Sequence, residues 1–127
     1  MLDKDKPCGP EMILDLYECD ESTFTKESLE QFFIEFCECI DMERVELHIW
    51  EYLEDPNKDP EELEHLKGYS AIQFIKTSSV LIHVYSALGK VSLNVYSCKP
   101  YDSEVAKEFC KNWFGGKVKQ HVDLIRY

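Results

Sequence analysis

In the stretch SAIQFIKTSSVLIHVYSALGKVSLNVYSC, residues 70 to 98, four side chains stand out for what they can do: Ser70, Ser78, His83 and Cys98. Hydroxyl, imidazole and thiol are the groups of nucleophilic and general acid–base chemistry. They lie among apolar residues that read as sheet core, where a polar group costs free energy unless it is paired. Singly, each has an ordinary explanation: serines end strands, a strand histidine is usually a satisfied surface or core group, and a buried cysteine acts as a small hydrophobe. Cys37 and Cys39 form CEC, which in principle offers two thiolates to a metal, but no second Cys/His pair at ligand spacing follows. Cys37 is expected to pack in a helix with Cys39 facing out, and no metal is expected.

The elements that hold these residues follow from periodicity. MILDLYE, from Met12, alternates and reads as a first strand. Between Lys26 and Asp41, Leu29, Phe32, Phe33, Phe36, Cys37 and Ile40 recur at helical period, which makes an amphipathic helix resting on a sheet. RVELHIWEYL alternates as a second strand, and EDPNKDPEELEHLKG then breaks the pattern with prolines and charge, as a solvated loop does. Three strands follow at 69–76, 80–85 and 90–97, joined by TSS and SALG. These links are too short for helical crossovers, so the strands pair antiparallel.

YDSEVAKEFCKNWFGG carries the cap residues Asp102 and Ser103, a stripe of Ala106, Phe109, Cys110 and Trp113, and a Gly115-Gly116 stop. It reads as a second helix, and KVKQHVDLIRY as a last strand. The order β-α-β-β-β-α-β implies an α+β fold, a two-layer sandwich of a mainly antiparallel sheet with both helices on one face. In the 90–97 strand, Val91, Leu93 and Val95 share one face while Ser92, Asn94 and Tyr96 share the other, with Cys98 in phase. The face without helices is therefore expected to be polar, and His83, on the neighbouring strand, to share a site there with Cys98.

A chain of 127 residues is expected to form one domain, 1–127. Its 25 acidic residues against 14 Lys and Arg give a formal charge of −11, the wrong sign for phosphate backbones or anionic lipid, so neither nucleic acid nor membrane is an expected partner. No segment reaches the roughly 18 apolar residues of a membrane helix. MLDKDKPCGPEM lacks the apolar core of a signal peptide, and the expected location is cytoplasmic, with the six cysteines as free thiols.

Taken together, the spacings carry more than the residues do singly. A serine, a second serine eight residues on, a histidine five beyond it and a cysteine fifteen further fall on Ser70, Ser78, His83 and Cys98. With MILDLYECD, GYSAIQF, SSVLIH and LNVYSC, they make nearly the whole chain resemble the small prokaryotic S-adenosylmethionine decarboxylases, self-processing proenzymes with a pyruvoyl cofactor.

The resemblance implies a chemistry for each residue. Ser78 Oγ attacks the Thr77 carbonyl in an N-to-O acyl shift, with Ser70 hydrogen-bonding the tetrahedral intermediate. His83 removes the Ser78 α-proton, and the eliminated product hydrolyses to a pyruvoyl group on residue 78, leaving pieces 1–77 and 78–127. That ketone condenses with a substrate amine and accepts the electrons released with carbon dioxide, and Cys98 returns a proton to the substrate. A tight, strained KTSS turn suits the first step. Asp15 is implied as a carboxylate that meets a sulfonium or amine, and Tyr85 as a surface for adenine. The implied assembly is a homodimer with sites at or near the contact, acting on a small molecule and feeding spermidine synthesis.

Two positions depart from the family pattern. Thr77 stands where a Glu usually precedes the cleaved serine, and Ala87 where a Glu is expected to hold the ribose hydroxyls. Two alternatives follow: a decarboxylase of arginine or ornithine on the same scaffold, and an uncleaved non-catalytic homologue acting as a binding or regulatory subunit.

Overall fold

A computed structural model describes residues 2–52 and 67–127. Among these residues six strands and two helices run in the order β1 (Gly9–Tyr17), α1 (Lys26–Cys39), β2 (Arg44–Glu51), β3 (Gly68–Ile75), β4 (Ser78–Tyr85), β5 (Lys90–Tyr96), α2 (Ser103–Phe114) and β6 (Lys117–Arg126). This is the expected two-layer α+β sandwich. The loop expected over EDPNKDPEELEHLKG falls almost wholly outside the described residues.

Both helices begin at side-chain caps. Thr25 Oγ1 accepts the Ser28 N–H at 3.1 Å to start α1, and Asp102 Oδ1 accepts the N–H groups of Glu104 and Val105 at 3.0 and 3.2 Å to start α2. α2 stops where Gly115 turns left-handed at φ 61°. α1 stops as expected from its stripe, with Asp41 left-handed at φ 56° just beyond.

The buried stripe of α1 puts Phe32, Phe33 and Phe36, none of them exposed, against Phe114 of α2 and against Met12, Leu14 and Leu16 of β1. The Phe32 ring lies 5.2 Å from Phe36 and 5.1 Å from Phe114. Burial of each such side chain contributes about 1.5–3 kcal/mol, which makes this aromatic seam the main fastening of helices to sheet. Cys37 is buried in the seam and Cys39 is exposed, so the two CEC thiols point apart.

The sheet order is β2-β3-β4-β5-β1-β6, every pair antiparallel. A bulge between Arg44 and Leu47 breaks the β2–β3 ladder, and the buried Gln73 amide donates to the Glu46 carbonyl there at 3.1 Å. At the other edge Ser103 Oγ lies 2.8 Å from His121 Nε2 and donates to Asp123 at 2.5 Å, tying α2 to β6.

The face away from the helices is not the polar surface expected from β5 alone. Ser92, Asn94 and Tyr96 do lie on it, but the register places Ile72, Leu81 and Ile13 in one transverse row with Asn94 and Val122. Phe74 and Leu124 are 42% and 40% exposed on the same side. The open face is thus a mixed surface with an apolar band across its middle.

Candidate active site

The link between β3 and β4 is shorter than TSS. Ile75 pairs with Ser78, which leaves only Lys76 and Thr77 to turn the chain. Thr77 sits at φ 65°. For a β-branched residue this left-handed conformation is an outlier, because Cβ crowds the following carbonyl, and it stores roughly 1–2 kcal/mol. The strain lies on the residue whose carbonyl the Ser78 hydroxyl would attack.

Ser78 Oγ accepts the backbone N–H of Cys98 at 3.1 Å. An amide donor aimed at this oxygen favours negative charge developing on it. The Cys98 amide is held in turn by its neighbours. Ser97, fully buried, accepts the Lys99 N–H at 2.9 Å and donates to the Lys99 carbonyl at 2.7 Å. Lys99 Nζ grips Asp41 through its carbonyl at 2.7 Å and its carboxylate at 2.8 Å. Strand β1 presses against this loop so closely that a Cβ on Gly9 would stand 1.9 Å from the Ser97 carbonyl oxygen. The Cys98 thiol is exposed and shares a hydrogen bond with the Tyr96 hydroxyl at 3.7 Å, which pushes the Tyr96 hydroxyl above its ordinary value.

Ser70 and His83 meet elsewhere. They face each other across β3 and β4, with Ser70 Oγ 2.8 Å from His83 Nδ1. That bond fixes the ring and leaves Nε2 as the nitrogen not engaged by it. The Tyr85 ring lies along the His83 ring at 6.4 Å and 28°, and Trp50 and Tyr52 stand 6.0 Å apart edge to face. These residues line a cavity of about 330 Å³. Gly68 closes its floor, where a Cβ would come 1.9 Å from the Val84 carbonyl oxygen at a φ of 146°. Asp15 lies in the same transverse row as Ser70, His83 and Ser92. Two strand spacings separate it from His83, about 10 Å. Ala87 lies exposed in a 3-10 turn, Ser86–Leu88, after Tyr85.

Within one chain the register keeps His83 away from Cys98, so the hairpin alone does not bring the two into the one site expected of them. His83 pairs with Ser92, and Cys98 lies six residues further along. Ser78 and His83 are five residues apart on one strand, about 17 Å, and alternation sends their side chains to opposite faces. Ser70 is likewise five residues from Ile75, so within one chain it does not reach the Thr77 carbonyl. One protomer therefore carries two half-sites: Thr77, Ser78 and Cys98 at one end of β4, and Ser70, His83, Tyr85 and Asp15 toward the other.

An ion pair between a buried carboxylate and an exposed guanidinium, not expected from the sequence, adjoins the first half-site. Glu11, 8% exposed, takes Arg126 Nη1 at 3.0 Å and Asn94 Nδ2 at 3.3 Å. Its position in phase with Asp15 on β1 is the only sequence signal it carries. Among the described residues no group of three His, Cys, Asp or Glu side chains is placed to hold a metal ion. No helix among them is long and apolar enough to cross a membrane.

The family model of S-adenosylmethionine decarboxylase matches residues 10–126. The chain belongs to that family. The adenosylmethionine decarboxylase from Aquifex aeolicus VF5 has a similar structure, with a TM-score of 0.71 at 15% identity, covering 95% of this chain and 90% of that one. At that identity the likeness speaks for the fold. No similar sequence was found among curated proteins. Membership of the S-adenosylmethionine decarboxylase family supports a decarboxylase, and that family generally uses a pyruvoyl group.

Proposed function

We propose that this chain is a self-processing, pyruvoyl-dependent S-adenosylmethionine decarboxylase that supplies the aminopropyl donor for spermidine synthesis. The observation that carries the reading is the Thr77–Ser78 junction, a strained carbonyl followed by a hydroxyl already held by an amide donor. Those residues fit the making of a pyruvoyl group. Ser78 Oγ attacks the Thr77 carbonyl and the peptide bond becomes an ester, relieving the backbone strain. A base then takes the Ser78 α-proton, the ester leaves as the new carboxyl terminus of 1–77, and hydrolysis releases ammonia from residue 78. The pyruvoyl group supplies a ketone that captures the substrate amine and draws off the electrons released with carbon dioxide.

The base of this scheme is His83, and its distance from Ser78 supports a site shared between two copies. In a twofold dimer, the Ser70–His83 half-site of one protomer meets the Ser78–Cys98 half-site of the other. The apolar band on the open face supports the same pairing, since such a surface gains by being covered. Ser70 then orients the imidazole, Cys98 protonates the substrate carbon, Tyr85 gives adenine a surface, and Asp15 faces the sulfonium.

Ala87 favours a second reading, decarboxylation of arginine or ornithine, because an exposed methyl offers no acceptor to a ribose diol. Carbon dioxide release from carboxyl-labelled S-adenosylmethionine, arginine and ornithine decides between them. Release from S-adenosylmethionine supports the first reading. Release from a basic amino acid alone replaces it with the second.

A further inference from the structure

We infer that Arg126, held by Glu11, receives the α-carboxylate of the amino-acid substrate at the Ser78–Cys98 half-site. The inference rests on the decarboxylase reading and deepens it. Beside Cys98 lies a cavity of about 280 Å³ lined by Cys8, Glu11, Ser79, Asn94, Tyr96 and Arg126. Its polar groups are unevenly committed. Both oxygens of Glu11 are taken, Oε1 by Arg126 and Oε2 by Asn94. The Glu11 side chain is 10% exposed and the Arg126 side chain 55%, so the carboxylate is closed off while the guanidinium keeps further N–H donors open. The Ser79 and Tyr96 hydroxyls, which can each donate or accept, and the Asn94 amide oxygen complete the polar lining, and its one cationic group with open N–H donors, the guanidinium, receives an anion.

An α-amino acid brings one anionic group, and its place is fixed by the reaction. The carboxylate is one bond from the carbon that Cys98 reprotonates, and the Cys98 thiol already touches the Tyr96 hydroxyl of this cavity at 3.7 Å. The chain's formal charge of −11 attracts substrates that are cationic overall but repels a carboxylate, so a local cation is needed exactly where that group docks. Glu11 offsets part of that cation, and the carboxylate is held without being bound so firmly that loss of its charge is opposed.

The test uses the uncleaved Ser78→Ala chain, which binds without turnover, and calorimetry with two matched pairs: S-adenosylmethionine with its decarboxylated form, and arginine with agmatine. The Ser78→Ala chain is expected to bind one acid. Arg126→Met in that background weakens the acid by roughly tenfold to a hundredfold and leaves its amine unchanged, and Arg126→Lys restores part of the loss. Equal weakening of acid and amine, unchanged acid binding, or no acid binding by Ser78→Ala overturns the inference. Should Arg126→Met fail to fold, Arg126→Lys with Glu11→Gln gives the same comparison, a selective change in acid binding being required. The decarboxylase reading fails separately, when the wild-type chain stays uncleaved and releases no carbon dioxide.

Discussion

Ser78 and His83 share strand β4 yet occupy opposite faces of the sheet, five residues apart, while the partner of each lies on a neighbouring strand: Cys98 after β5 for Ser78, and Ser70 on β3 for His83. In the proposed scheme, maturation and turnover draw on groups that one protomer keeps apart, and variants separate them. Wild-type protein is expected to appear by intact mass as two pieces, 1–77 and 78–127, and Ser78→Ala as one. Cys98→Ala still cleaves, because its backbone N–H remains, but loses most decarboxylation. A cleaved Cys98→Ala protein with full activity shows that another group is the acid.

The site proposed to be shared across a dimer predicts complementation. Ser78→Ala and His83→Ala are each expected to stay uncleaved when purified alone. Co-expressed in equal amounts with free exchange, half the dimers are mixed and each mixed dimer has one intact site, so about a quarter of all chains are cut. Gel densitometry reads the fraction. No cleavage in the mixture means that processing does not cross the dimer.

The Thr77 backbone makes an energetic prediction. Glycine accepts φ 65° without Cβ crowding but loses more freedom on folding. Thr77→Gly in the Ser78→Ala background should raise unfolding free energy by about 0.5–1 kcal/mol, measured by denaturant melts. With Ser78 present, the same change should slow cleavage. Unchanged or faster cleavage would remove strain from the mechanism.

Burial pushes the thiols of Cys19 and Cys37 up to about 11 from an ordinary value of 9.0. The unfolded chain gives up these protons first, so the stability they contribute is complete below pH 9 and lost as pH rises through 11. Thermal melts from pH 8 to 11 should show the decline, and Cys37→Ala should make it shallower. An equal slope in wild type and variant would mean that Cys37 stays protonated throughout or titrates alike in both states. At neutral pH a thiol reagent should label the exposed Cys8, Cys39 and Cys98 and reach Cys110 only on unfolding.

Helices were the most legible elements. Phe32, Phe33, Phe36 and Cys37 recur on one turn spacing, and Asp102 announces α2, because period and cap chemistry are local. The hairpins of β3, β4 and β5 were legible from their short links. That β1 inserts between β5 and β6 was not, since no local pattern encodes a pairing that spans most of the chain. The same limit governed the site. Adjacent strands suggested that His83 and Cys98 were near enough to share a site within one chain, whereas the register opposing Ser79 to Tyr96 sends them to different ends. Glu11 and Arg126 escaped notice because 115 positions separate them. Likewise β5 alone gave a polar face, and only the neighbouring strands add Ile72, Leu81 and Ile13.

The strand order also decides what a cut between Thr77 and Ser78 can do to the molecule. The first piece owns β1, β2 and β3, the second β4, β5 and β6, and across the sheet they alternate as β2-β3, then β4-β5, then β1, then β6. Three of the five strand junctions thus join one piece to the other, and the aromatic seam between α1 and α2 joins them again. The two products of such a cut would be threaded through each other like the fingers of clasped hands. Neither can leave without unzipping the sheet, so the severed chain should behave in solution as a single body, with the new amino terminus anchored in the hairpin that created it.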